Sequence, residues 1–569
     1  MSLDLVLLHA PSVYDFRRKT ILYGPVSDLI PPSHVFEMYP IGFASIAEYL
    51  EKAGYRVRIV NLAVRMIRDR KFDAEKHIKR MKSAVFGIDL HWMVHCHGAI
   101  EVARLVKKHH PEAKVVFGGF SSSYFHRELM QYPEVDYVIR GDSTEEPLRQ
   151  LMECILEKRE PEAVPNLVWK DSQGNIRENP FTHVPAELNK VMVDHYSGIV
   201  RSVIRYGDLL SYIPFRDWLR YPITAVLTCR GCMENCIICG GSAAASKRFY
   251  HREKVAFRPP RMVVENAKQI ARFSNGPIFI LGDLRQAGED YAHEVLSRLQ
   301  QERFKNQFIL ELWTPASREF LERMSRACPD FCLEISPESH DYEIRKIIGR
   351  NYSTEDMEQT ISAALGVGCS RLDIFFMIGL PRQTAQSVMD TIDYCDYLLQ
   401  KSRGDKRLCL FIAPLSPFLD PGSLSFEQPE KYGYRVLFRR LEEHRQALVS
   451  PSWKNSLNYE TDWMSRHQIA EASYEAILRL NRVKAKHGVI SRKMAEVSEQ
   501  RMKAGREMMH RLDETLTQEG SEEKLAQLKP ELDKINWLPV SEKLQLELPV
   551  GLIKLKPWRS LWSYITGRW

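Results

Sequence analysis

No stretch of this 569-residue chain approaches the roughly 18 consecutive apolar residues that a membrane-crossing helix needs, so no membrane partner is expected. The apolar start, Leu3-Asp4-Leu5-Val6-Leu7-Leu8, has no basic region before it and no small-residue cleavage site after it. It reads as a buried first strand and not as a secretory signal, and a cytoplasmic protein is expected. Excess charge is also scarce. Eighty Lys and Arg against 73 Asp and Glu leave +7, too mild at this length to argue for nucleic acid. Internal repeats and low-complexity tracts are absent. No G-x-G-x-x-G follows the first apolar run, which removes the dinucleotide-binding fingerprint. The eleven cysteines do not spread as a disulfide scaffold would: four fall between Cys229 and Cys239, the pattern of a metal site in a reducing compartment.

What is present is an ordinary globular balance, 44% hydrophobic and 27% charged, in a chain long enough for about three to four domains. Over residues 1–160 short apolar runs (Asp4–His9, Arg56–Asn61, Val85–Leu90, Lys114–Phe117, Asp136–Ile139) alternate with amphipathic stretches (Phe43–Ala53, Ala99–His109, Glu145–Leu156). That rhythm predicts a doubly wound parallel α/β domain. Residues 161–215, broken by Pro165, Pro180 and Pro185, read as a linker. The rhythm resumes over 216–425 with six strand–helix units, which fits a partial barrel, with ligands expected at the carboxyl ends of its strands. Residues 426–569 are expected to be mostly helical, with long helices at Tyr434–Leu448, Gln468–Ala485 and Ser491–Leu516.

Cys232, Cys236 and Cys239 stand in C-x3-C-x2-C spacing, in a segment that follows an expected strand. Three thiolates can hold three irons of a 4Fe–4S cubane and leave the fourth iron open to a chelating ligand. Cys229 extends the run to C-x2-C-x3-C-x2-C, and four thiolates could instead close a tetrahedral zinc site. Structural zinc sites usually separate their two pairs by a longer loop, which favours iron–sulfur and makes Cys229 a buried neighbour. The segment resembles the signature of the radical S-adenosylmethionine (SAM) superfamily. Gly282-Asp283, Ile335-Ser336-Pro337-Glu338-Ser339 and Met377-Ile378-Gly379-Leu380-Pro381 resemble its later strand-end motifs. The likeness covers about residues 216–425 and departs at Ile238, where the family commonly has an aromatic residue. It implies a cluster on Cys232, Cys236 and Cys239. It also implies SAM held near its amino group by Gly282 and Asp283, at the ribose by Glu338 and Ser339, and beside the adenine by Met377, Gly379 and Pro381.

In the first domain Pro40–Ala53 enters a helix, Gly118-Gly119 follows the fourth strand and Gly141-Asp142-Ser143-Thr144 the fifth. Glycines there let a ligand approach the backbone, and helix starts can hold a polar tail. Joined to the downstream motifs, these stretches resemble the cobalamin-dependent radical SAM family. The resemblance implies a Rossmann-like domain holding cobalamin at Gly118, Gly119, Ser121, Gly141, Asp142 and Thr144, with the corrin facing the barrel mouth. The D-x-H-x-x-G motif of histidine-ligated cobalamin proteins is absent after strand one. The loop Leu90–His97 is expected below the corrin, with His91 or Trp92 as its floor. A bulky residue at Gly119 is expected to block the ligand in a folded chain.

Between Arg482 and Arg511 nine Lys and Arg face three Asp and Glu, either a solvated helix face or a surface for an acidic partner. Trp558, Trp562 and Trp569 alternate with Lys554, Lys556, Arg559 and Arg568 and are expected to pack on a core. A stacking platform for single-stranded nucleic acid is the alternative, and a nucleic-acid partner is not expected. The resemblance implies a methyltransferase that moves methyl from methylcobalamin to an unactivated carbon. The substrate is read as a peptide or protein, methyl-coenzyme M reductase among the candidates, and electrons would come from a flavodoxin or ferredoxin. The competing expectations are a cobalamin-dependent radical SAM cyclase without methyl transfer, and a zinc-stabilised cobalamin sensor. No side chain is assigned as a catalytic acid or base.

Overall fold

The computed structural model describes residues 3–25, 34–189, 195–415, 417–518, 520–538 and 554–566. The first seven strands form one sheet in the order β2-β1-β3-β4-β5-β6-β7. They are β1 (Leu3–His9), β2 (Val57–Asn61), β3 (Ser83–Asp89), β4 (Lys114–Gly118), β5 (Tyr137–Ile139), β6 (Leu167–Lys170) and β7 (Ile176–Glu178). Strands β1 to β5 pair in parallel, with Leu5 opposite both Val57 and Val85 and Val116 opposite Gly87. Helices cover both faces, so the central strands are almost wholly apolar, and Leu5, Val6, Leu7 and Leu8 are buried. The order reverses between β1 and β3, and a crevice opens outside the carboxyl ends of strands at such a point.

The second sheet is six-stranded and all parallel, in the order β15-β14-β13-β12-β11-β8. Its strands are β8 (Thr224–Leu227), β11 (Ile278–Leu281), β12 (Phe308–Leu312), β13 (Phe331–Glu338), β14 (Arg371–Ile378) and β15 (Leu408–Pro414). Between them a two-stranded ribbon, β9 (Cys229–Arg230) with β10 (Ala256–Phe257), carries the start of the cysteine loop. This is the expected α/β partial barrel behind a Rossmann-like domain. Among the described residues no helix is long and apolar enough to cross a membrane.

Three readings are corrected. The segment 161–215 is not only a linker: β6 and β7 add to the first sheet by antiparallel pairing, and His195–Tyr206 is a helix. Its prolines fall outside those elements, and that misled the sequence reading. The long helix expected at Tyr434–Leu448 is instead a strand, β16 (Tyr434–Val436), paired with β17 (Tyr459–Thr461), and a short helix, Leu441–Ala447. Trp558 and Trp562 do not pack on a core: they are 81% and 68% exposed. Lys556 makes the anchoring contact there, donating to the Ala271 carbonyl at 2.7 Å. Trp569 and Arg568 lie outside the described residues.

Two buried ion pairs fix the sheets to each other. Arg230, in β9, reaches Glu145 at the start of the helix Glu145–Leu156; its Nη1 donates to Oε2 at 3.0 Å, and Ser45 donates to the same carboxylate at 2.8 Å. Arg252 grips Asp142, its Nη2 donating to Oδ1 at 2.9 Å, while its Nη1 donates to the Pro185 carbonyl at 3.1 Å. The side chains of Arg252 and Asp142 are only 2% and 7% exposed. Removing one partner of a buried pair strands the other charge, at about 3–5 kcal/mol. Arg252→Met should therefore destabilise the chain by that amount in denaturant unfolding, and adding Asp142→Asn should recover much of it. A loss under about 1 kcal/mol, the worth of a surface pair, would refute the clasp.

Candidate functional site at the junction of the sheets

The carboxyl ends of both sheets open onto one cleft of about 1470 Å³, measured out to its mouth. Its first wall carries Gly42, Asp89, His91, Gly118, Gly119, Gly141, Asp142 and Thr144; its second carries Leu227, Cys229, Arg230, Gly231 and Gly241. Six of the residues expected to hold a corrin are thus together. Ser121 and Trp92 do not line the cleft. Ser121 is buried and donates to the His91 carbonyl at 3.3 Å, steadying that loop. Trp92 stands edge-on to Phe36 at 5.2 Å and helps hold the buried Asp420 carboxylate. Of the two floor candidates, only His91 faces the cleft. His91 is exposed on that wall, and partial loss of solvation there pushes its pKa down, opposed by Asp89. His95 is committed to the Ala10 carbonyl at 3.2 Å, and His97 accepts from the Tyr14 N–H at 3.2 Å.

The wall fits a large, flat, amide-rimmed ligand such as cobalamin. Side chains are missing where a plate would lie: a Cβ at Gly42 or Gly118 would meet no atom within 4 Å. Asp89 supplies an acceptor, because its Oδ1 pairs with His9 at 2.9 Å while its buried Oδ2 has no hydrogen-bond partner. Burial works against that charge, but His9 beside it holds the carboxyl below its usual range. Two expectations change. Asp142 lines the cleft, but its carboxylate is engaged by Arg252, so it positions the wall. Gly119 has φ +114°, and a Cβ there would come within 2.6 Å of the His91 backbone. Its substitution would break the loop before it met any ligand.

The cysteine loop follows β9. Cys232 and Cys236 are partly buried and Cys239 is exposed. Backbone N–H groups of Glu234 and Gly241 donate to Cys232 Sγ and Cys239 Sγ, each at 3.3 Å, as sulfurs bearing charge require. Burial pushes the Cys232 thiol up to about 12, so a metal, not the protein, must supply the drive to thiolate. Among the described residues no three of the four thiols lie within 4.8 Å of one another. A single zinc holds its sulfurs about 3.8 Å apart, given Zn–S bonds of about 2.3 Å. The thiols as placed are not gathered at that spacing. Cys229 points to the Gly231 carbonyl at 3.7 Å. Sequence reasoning missed two neighbours of this loop: Arg350, whose charge favours the Cys236 thiolate, and Asp420, which accepts from the Gly240 N–H at 3.1 Å. Neither sits in a motif, and both come from distant turns.

The remaining expected SAM contacts sit at the barrel strand ends and do not line the same cleft. Gly282 takes φ +89° after β11. Asp283 is not free for an ammonium group: its two oxygens accept from the Arg285 side chain at 3.0 and 2.6 Å and from the Trp313 N–H at 3.0 Å. Glu338 differs. It ends β13 past a register shift, in the left-handed region at φ 66°, and its buried Oε2 has no partner. Burial pushes its pKa up to about 7, opposed by Arg350, so it is a strained, unsatisfied acceptor of the kind a ribose hydroxyl would meet. Ser339 accepts from the Asp341 N–H at 3.1 Å and holds the next helix start. Near the end of β14 Met377 is half-buried, and past the strand Pro381 is buried. Gly379 accepts from the Tyr434 hydroxyl at 3.0 Å at a point where no Cβ fits against Tyr459.

Comparison with known families separates the two walls. Residues 33–150 match the family model "B12 binding domain". Residues 226–395 match "Radical SAM superfamily". The chain is a radical SAM protein with a B12-binding domain. An uncharacterised methyltransferase of Pyrococcus horikoshii is 24% identical over 367 residues, spanning 63% of this chain and 73% of that one. Cytidylyl-2-hydroxyethylphosphonate methyltransferase of Streptomyces wedmorensis is 21% identical over 482 residues, 74% and 85% of the two chains. Among solved structures, the radical SAM methyltransferase TsrM of Kitasatospora setae, with cobalamin and a [4Fe–4S] cluster bound, shares the fold at TM-score 0.52 and 15% identity, covering 77% of this chain and 81% of that one.

Two outcomes follow from this geometry. Gly118→Val should leave unfolding unchanged within about 1 kcal/mol yet abolish cobalamin retention, read from the visible spectrum of the purified chain, whereas Gly119→Val should unfold it. Full retention by a folded Gly118→Val protein would remove the corrin from this wall. Glu338 binds its proton more tightly in the folded chain than in the unfolded one. Stability is therefore favoured at acid pH and falls as pH rises from about 4.5 to about 7. Glu338→Gln, measured in parallel on the cofactor-free chain, should lack that fall.

Proposed function

We propose that this radical SAM protein is a cobalamin-dependent methyltransferase that transfers a methyl group to carbon. One observation carries the reading: the strand-end glycines of the B12-binding domain and the first turn of the cysteine loop line a single cleft. When bound, the cluster and SAM supply a deoxyadenosyl radical that removes a hydrogen atom, and cobalamin supplies the methyl group. The protein's part is placement. Cys232, Cys236 and Cys239 would hold the cluster, Glu338 the SAM ribose, and Gly42 and Gly118 the corrin plane. The Asp142 and Glu145 clasps fix the spacing between the reacting groups, on which radical transfer depends. No side chain is required to move a proton. The methyltransferase names of the relatives support the group transferred.

For the substrate we put a peptide or protein first, with methyl-coenzyme M reductase among the candidates, and a flavodoxin or ferredoxin as electron donor. The support is narrower than composition suggested, because much of the basic C-terminal stretch is paired: Arg482 with Glu499, Lys486 with Asp396, Arg506 with Glu471 and Arg511 with Glu531. Arg492 and Lys493 at the start of the second long helix are exposed.

Cys232→Ala, Cys236→Ala and Cys239→Ala should each abolish reductive SAM cleavage, read as 5′-deoxyadenosine by chromatography. Cys229→Ala should keep an iron content of about four per chain. With substrate present, S-adenosylhomocysteine should accumulate alongside deoxyadenosine. Deoxyadenosine alone would instead support the cyclase.

A further inference from the structure

The helices Arg466–Lys486 and Arg492–Leu516 run antiparallel against each other, as the cross-helix contacts Asn481 to Ser498 and Arg506 to Glu471 require. His467 and Glu471 are four residues apart on the first helix and therefore share a face. His510 comes from the second. One ligand atom from each of the three lies within 4.8 Å of the other two. His510 Nε2 is 3.1 Å from Glu471 Oε1, and the two imidazoles meet edge to face with centroids 5.7 Å apart.

The orientation of the carboxylate carries a second sign. Glu471 Oε1 is buried, and the group that faces it is the His510 imidazole at 3.1 Å. Glu471 Oε2 is held by Arg506, whose Nε donates at 2.7 Å. Fixing one oxygen of a carboxylate from outside while the other faces an imidazole is how ligating carboxylates are oriented at metal sites. We propose that His467, Glu471 and His510 bind one divalent transition-metal ion, zinc by preference, as a clip across the two helices. Two imidazoles and a carboxylate suit zinc's borderline character and leave a fourth position for water. None of the three lines the cleft between the sheets, and no cysteine belongs to the set, so the site is chemically distinct from the cluster loop. An ion bound only by the folded helix pair stabilises it by mass action.

The test uses the full chain with its iron–sulfur cluster reconstituted, passed through a mild chelator, titrated with zinc chloride and desalted. Zinc and iron per chain are then counted by mass spectrometry. One zinc per chain is expected, with iron unchanged. His467→Ala and His510→Ala should each weaken zinc binding about tenfold or more without altering iron. Zinc should raise the unfolding temperature of the parent chain and not that of the double variant. The site is overturned if the double variant retains the same zinc stoichiometry, or if the parent takes up none. Cobalt(II) gives a further check. Visible bands without a sulfur charge-transfer band support the imidazole–carboxylate set, whereas a thiolate signature places the ion on cysteine and overturns it.

Discussion

Two carboxylates three residues apart, Asp142 and Glu145, set where everything else in the molecule lies. They belong to the B12-binding domain, yet their partners Arg252 and Arg230 flank the cysteine loop of the barrel. Each pair is desolvated, so the geometry is steep: a small displacement would leave buried charge unmatched. The cleft exists because these contacts hold two sets of strand ends face to face. Gly231, between Arg230 and Cys232, takes φ +90°, and a Cβ there would reach the Arg252 side chain at 2.7 Å. The clasp and the cysteine loop are thus one packed unit.

A second constraint lies in the barrel. Glu311, Glu334, Asp373 and Cys409 stand side by side in register on adjacent strands. Burial pushes Glu334 up to about 8, with Asp373 and Glu311 adding to the shift, so it is protonated near neutral pH; Arg371 lies beside Asp373 at 2.8 Å. Desolvating a row of acids inside a barrel is unfavourable, and Arg371 offsets part of it at Asp373.

The architecture was readable because its periods are strong. The expected runs Arg56–Asn61 and Lys114–Phe117 fall within one residue of β2 and β4, and the C-x3-C-x2-C spacing is read from the sequence whatever the fold. What was not readable depends on contacts across the chain. Asp283 looked like a ligand group because nothing local reveals that Arg285 and Trp313 consume its oxygens. Gly118 and Gly119 looked equivalent, and only the third dimension shows that one opens to the cleft while the other abuts His91. Arg350 and Asp420 belong to no motif, so no pattern could have brought them to the cysteines. The pairing within the basic C-terminal stretch was not readable for the converse reason: its acidic partners lie on other helices.

The Arg252 contact with Pro185 bears on how such chains can be recombined. One guanidinium binds Asp142 of the first domain and the carbonyl of the connecting segment while itself belonging to the barrel. A natural seam for exchanging B12-binding domains between relatives therefore does not run through the proline-rich connection, although the composition invites a cut there. A working hybrid would have to inherit the segment to Pro185 together with a matching Arg230 and Arg252 from the same parent. The unit of inheritance in this architecture is the junction, and the domains on either side are the interchangeable parts.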